Sequence, residues 1–202
     1  MKAIEVHHII KSYGIKNNII KALDDVSFDV KEGELFGIIG PDGAGKTSLF
    51  RILTTLLLAE QGTATVDGFD VVKDYKEIRK RVGYMPGKFS LYQDLTVEEN
   101  LEFFATIFNT SIKANYDLIK DIYVQIEPFK ERRAGKLSGG MKQKLALCCA
   151  LIHKPTVLFL DEPTRGIDVG AKQEIYSNIN ALAQQGLAIV LVSSELPEVL
   201  GM

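Results

Sequence analysis

Three short runs in this chain carry residues capable of chemistry. Gly40-Pro41-Asp42-Gly43-Ala44-Gly45-Lys46-Thr47 matches G-x-x-x-x-G-K-[ST] without a mismatch, and Ser48 follows it. Glycines in such a run let backbone N–H groups converge on an anion with no Cβ atoms in the way. The Lys46 ammonium would reach the outer phosphates, and the Thr47 hydroxyl would be offered to Mg²⁺. A glycine-rich strand–helix turn without a ligand is the plainer reading, but full spacing in the right context favours a bound nucleoside triphosphate. The second run is the carboxylate pair Asp161-Glu162, which closes the apolar segment Val157-Leu158-Phe159-Leu160. The third, Leu137-Ser138-Gly139-Gly140, reads locally as a turn that caps a following helix.

These groups must be held in place, and the apolar pattern indicates by what. Leu35-Phe36-Gly37-Ile38-Ile39-Gly40 reads as a buried strand entering the glycine-rich turn, with a helix over 46–58 after it. Segments 157–160 and 188–192 are short, continuous and rich in branched residues, as expected of parallel strands covered on both faces. Helices are expected over 97–108, 113–126, 140–152 and 171–184. Segments 3–10, 22–31 and 63–67 look like antiparallel strands, with turns at Gly62 and Asp67-Gly68. The fold class is therefore α/β. Cys148 and Cys149 share helical spacing with Met141, Leu145 and Ile152, and read as core thiols.

Composition narrows the class without naming a chemistry. The chain has 202 residues, 46% hydrophobic and 25% charged, which excludes disordered and fibrous classes. Twenty-four basic against 26 acidic residues argue against a dedicated nucleic-acid binder. Arg79-Lys80-Arg81 and Lys130-Glu131-Arg132-Arg133 read as solvated faces. No apolar run approaches the ~18 residues of a membrane span, and the first residues lack the apolar core of a signal peptide. A soluble, intracellular chain is expected.

Taken together, Leu137-Ser138-Gly139-Gly140-Met141-Lys142-Gln143, the phosphate loop, Asp161-Glu162-Pro163-Thr164 and Gly166-Ile167-Asp168 resemble the nucleotide-binding domain of ABC (ATP-binding cassette) proteins. The resemblance covers essentially the whole chain. It implies one P-loop NTPase domain over 1–202, with a mostly parallel core sheet, an N-terminal antiparallel β subdomain and a helical subdomain over about 88–140. It implies ATP and Mg²⁺ as cofactors. ATP would be bound by Gly40, Asp42, Gly43, Ala44, Gly45, Lys46, Thr47 and Ser48, with Tyr13 stacking on adenine. Thr47 and Asp161 would serve Mg²⁺, and Glu162 would be the general base. Ser138, Gly139 and Gly140 would cap the ATP of a facing subunit, with Asp168 at the same seam. The implied assembly is a homo- or heterodimer of such domains on transmembrane permease subunits, peripheral to the cytoplasmic side of the inner membrane, with no nucleic-acid partner.

Two positions depart from the family pattern. Gly87 follows Val82-Gly83-Tyr84-Met85-Pro86 where the family has a glutamine, and Gln93 replaces it only if the loop is rearranged. Ser194 stands where the family has a histidine, so this catalytic candidate offers a hydroxyl without positive charge. Losing one preorganised donor costs on the order of 10²–10³ in rate, so retained but slow hydrolysis is expected. From Gly83 through the helix-capping run the chain is similar to multidrug-exporter ATPases. From Asp161 to Lys172, and over Ser193-Ser194-Glu195-Leu196-Pro197-Glu198-Val199, it is similar to monosaccharide importers. An exporter ATPase is the expectation, with a sugar-importer cassette or a ribosome-acting soluble ABC ATPase as alternatives. A chromosome or repair ATPase is disfavoured, because only 92 positions separate Lys46 from Ser138. The family continues beyond the Ser194 strand, so a longer natural chain is also expected.

Overall fold

The computed structural model describes residues 1–15 and 18–194. Lys16, Asn17 and everything from Glu195 onward, including the end of the importer-like stretch, lie outside the described residues. Two sheets form the framework. In the first, β1 (Lys2–Ile15) pairs antiparallel with β2 (Asn18–Lys31) and with β4 (Gln61–Val66), and β4 with the short β5 (Phe69–Asp70). Ile4, Val6, Ala64 and Val66 turn into the core at alternate positions. The first two strands run further than their apolar content predicts, because pairing continues through Tyr13↔Ile20.

The second sheet has the order β3 (Leu35–Ile39), β8 (Ala188–Ser193), β7 (Val157–Asp161), β6 (Val82–Met85), all parallel. The two central strands are buried at every residue. Their side chains divide by parity. Leu158, Leu160, Ile189 and Leu191 join one hydrophobic cluster, while Val157, Phe159, Ala188, Val190 and Val192 join another. That division explains why these strands read as continuous apolar runs, since neither face meets water. The second cluster also holds α1 (Lys46–Leu53) and the antiparallel sheet, with Phe50 edge-on to Phe159 at 5.2 Å between ring centroids.

The other cluster is built on α3 (Val97–Ile107), α4 (Tyr116–Tyr123), α5 (Gly139–Leu151) and α6 (Val169–Gln184). Because α5 is buried around most of its circumference, it shows no one-sided apolar stripe. Several expectations shift in detail. Helix α1 ends at Leu53 rather than residue 58, because Thr54 Oγ1 donates back to Phe50 O at 2.7 Å and Thr55 turns left-handed at φ 64°. The expected 113–126 helix is a 3-10 turn (Lys113–Asn115) followed by α4. Not anticipated were α2 (Tyr75–Arg81), β6 and the short β5.

Asn100 pins the segment entering α3. Fully buried, it accepts from Tyr92 N–H at 3.0 Å and donates from Nδ2 to Tyr92 O and Thr96 O at 3.0 and 2.8 Å. Asn100→Ala takes the acceptor from Tyr92 N–H and one of the two donors from each of Tyr92 O and Thr96 O, and buries no replacement, so it is expected to cost about 2–3 kcal/mol. At this chain size that is a drop of roughly 4–12 °C in melting temperature, measurable by thermal unfolding.

Candidate functional site

The parallel sheet brings the chemistry to one edge. Register pairs Ile39 with Ser193 and Asp161 with Val192, so β3, β8 and β7 end side by side. The phosphate loop leaves the end of β3, Ser194 follows β8, Glu162 follows β7 and Gly87 lies just past β6. Open α/β sheets bind ligands at this carboxyl edge.

The loop has the shape of an anion cradle. Gly43 and Gly45 adopt left-handed φ of 84° and 88°, and a Cβ on Gly45 would lie 2.0 Å from Ala22 O on β2. Helix α1 then starts with no side-chain cap and no acidic residue in its first turn, leaving N–H groups for an anion. Lys46 is largely buried and bends back over the loop, its Nζ donating to Gly40 O at 2.6 Å and Pro41 O at 3.0 Å. Phosphate oxygens would replace those carbonyls as its partners, so the residues present fit a polyphosphate.

The acidic side of the cleft is equally constrained. Thr47 Oγ1 donates to Asp161 Oδ2 at 2.9 Å. Burial raises the Asp161 carboxyl above its usual range, reinforced by the charge of Glu162 and opposed by the Thr47 hydrogen bond, Lys46 and the Gly87 N–H. A hydroxyl beside a desolvated carboxylate is a donor set suited to a hard cation such as Mg²⁺, whose charge would favour the ionised form. Glu162 is buried and holds a left-handed φ of 52°, with its N–H donating to Val192 O at 2.9 Å. Its Oε2 accepts from Ser194 Oγ at 3.2 Å. Its Oε1 is buried 3.7 Å from Lys46 Nζ and accepts no hydrogen bond among the described residues.

A cleft of about 310 Å³ gathers Tyr13, the residues from Asp42 to Ser48, Asp161 and Glu162. Tyr13 stands at its rim, its hydroxyl 3.0 Å from Ser48 Oγ. Sequence reasoning missed three lining residues, Ile20, Ala22 and Arg165. Arg165 Nη2 donates to Asp42 Oδ2 at 3.2 Å, and its position three residues after Glu162 was the available signal. Ser138, Gly139 and Gly140 do not line this cleft. Ser138 caps α5, its Oγ accepting from Met141 N–H at 3.3 Å, beside the start of α6, where Asp168 accepts from Ala171 N–H at 2.9 Å. Gly87 leaves little room for the glutamine of the family pattern: a Cβ there would lie 3.0 Å from Asp161 O. Gln93 packs against Gly135 instead and is not part of the cleft.

A parallel sheet carrying this loop at its carboxyl edge defines a P-loop NTPase fold of the α/β class. The family described as ABC transporter matches residues 23–165, and the chain belongs to it, as an ATP-binding domain. It is 44% identical over 171 residues to the "Probable multidrug ABC transporter ATP-binding protein YbhF" of Escherichia coli (strain K12), an alignment covering 84% of this chain and 30% of that protein. The chain thus spans under a third of that relative. It is 36% identical to the "ABC transporter ATP-binding protein NatA" of Bacillus subtilis (strain 168), over 91% of this chain and 76% of NatA. Among solved structures, the ATP-binding cassette MJ0796, a dimer in a post-hydrolysis state bound to ADP and Pi, superposes with a TM-score of 0.85 at 26% identity, covering 97% of this chain and 90% of that one.

Proposed function

We propose that this chain is the ATP-hydrolysing domain of an ABC transporter of the exporter type, acting as a dimer on membrane-embedded permease subunits. The observation that carries the reading is Glu162, a buried carboxylate with one oxygen lacking a hydrogen-bond donor, 3.7 Å from the phosphate-loop lysine. ATP with Mg²⁺ supplies a γ-phosphoryl group open to in-line attack by water. The loop glycines and the start of α1 hold the phosphates, and Lys46 neutralises their charge. Thr47 and Asp161 orient the cation. Glu162 Oε1 accepts the proton of the attacking water, while Ser194 fixes Oε2. Tyr13 stacks on the adenine ring at the rim. Residues 88–140 form the helical subdomain of a domain spanning the chain, and Ser138, Gly139 and Gly140 complete the site of a facing copy.

Support for the transporter class comes from the ABC family match, and for the exporter type from the word multidrug in the name of the YbhF relative. Among the described residues no helix is long and apolar enough to cross a membrane, which accords with a domain that relies on separate spanning segments. The test is Mg²⁺-dependent ATP hydrolysis by the purified chain, with size measured with and without ATP. Turnover together with an ATP-dependent dimer is the expected result; nucleotide affinity without either would remove the hydrolytic reading. Ser194→His restores a cationic donor where the structure places a hydroxyl and is expected to raise turnover by about tenfold or more. An unchanged rate would show that Ser194 is not what limits it.

A further inference from the structure

A second cleft, of about 790 Å³, lies against α3, α4 and the 3-10 turn Glu127–Phe129 and shares no lining residue with the nucleotide cleft. Its wall carries four carboxylates and two ammonium groups, those of Lys113 and Lys130. Lys130 lies 3.3 Å from Glu98 and Lys120 lies 3.6 Å from Asp117. Glu102 and Glu127 form no ion pair among the described residues. Tyr123 adds an independent observation. It is 4% exposed, lines the same cleft, and its hydroxyl makes no hydrogen bond among the described residues. The ring is enclosed while its oxygen stays accessible from the cleft and open to a partner there. Burial, followed by the charges of Glu98 and Glu127, pushes this phenol up to about 12, so it stays protonated beside those carboxylates.

Two further features suit a cation. Tyr116 meets Tyr123 edge-on, with centroids 6.1 Å apart, giving an aromatic wall next to the carboxylates. Helix α3 ends at this cleft with no basic residue in its last turn, so that turn adds no positive charge to the wall.

We propose that this cleft binds a small organic cation, a protonated primary amine carried on an apolar body. The ammonium donates to the Tyr123 oxygen and pairs with Glu102 and Glu127, while the apolar body lies against Ala105 and Tyr116. The volume lies within the usual ~300–1,000 Å³ of small-molecule sites. An anion would be opposed by the carboxylates, and a fully substituted ammonium would leave Tyr123 unfilled.

The test titrates phenethylammonium into the nucleotide-free chain, followed by amide chemical shifts, with phenylacetate and a Lys/Arg-rich peptide as parallel arms. Saturable shifts confined to α3 and α4, with a Kd at or below about 1 mM, are expected for the amine alone. A Glu102→Gln/Glu127→Gln variant should weaken binding at least ~10-fold, and Tyr123→Phe about 3–5-fold, with dispersed spectra showing both variants folded. Absence of saturation, equal binding by phenylacetate, preference for the peptide, or an unchanged Kd in the double variant would each overturn the proposal. None of these readouts depends on ATP turnover.

Discussion

Glu162→Gln is expected to lower ATP turnover by about 10²–10⁴-fold while changing ATP affinity by no more than a few-fold. The amide keeps the shape of the side chain, and its oxygen can still accept from Ser194, which donates to Oε2 at 3.2 Å. What it loses is the ability to take a proton, and a positioned general base contributes a factor of this size. Removing the charge also relieves the repulsion that helps raise the neighbouring Asp161 carboxyl. Single-turnover hydrolysis alongside equilibrium nucleotide binding separates the two effects. Turnover within about threefold of the parent would take the base role away from Glu162.

The second large effect is structural. Gly45→Ala places a methyl group 2.0 Å from Ala22 O at a residue whose φ is 88°. A left-handed alanine costs about 1–2 kcal/mol. Overpacking against backbone adds about 1–3 kcal/mol. The sum, about 2–5 kcal/mol, corresponds to a melting temperature lower by roughly 4–20 °C. Gly43→Ala is the internal control, since its φ is 84° but open space surrounds the added atom. It should lose only the conformational share. Equal losses in the two variants would show that contact with β2 does not set the requirement for glycine at position 45.

The central strands and the phosphate loop were legible because each leaves a local mark: branched apolar runs for strands buried on both faces, and fixed glycines where backbone must approach a ligand. β6 left no such mark. It is four residues long, and Gly83 interrupts its apolar run. A Cβ at Gly83 would lie 2.5 Å from Ala150 O, so the glycine records the close approach of α5, a tertiary fact absent from local pattern. The early end of α1 had a faint signal in the Thr54-Thr55 pair, whose hydroxyl chemistry competes with helix. At the site, Lys46, Thr47, Asp161 and Glu162 could be singled out by type and spacing. The Arg165–Asp42 contact could not, since 123 positions separate its partners and only the fold brings them together. Ser194 was picked by position in the family pattern, but its bond to Glu162 became visible only once β7 and β8 were aligned.

Helix α5 begins against the start of α6 with almost no space between them. A Cβ on Gly140 would lie 2.8 Å from the Cβ of Ala171, and one on Gly139 would lie 3.2 Å from Ile167 Cγ2. Volume at positions 140 and 171 is therefore shared, and one can grow only if the other shrinks. Substitutions at the two positions are thus coupled, and a larger side chain at one calls for a compensating change at the other.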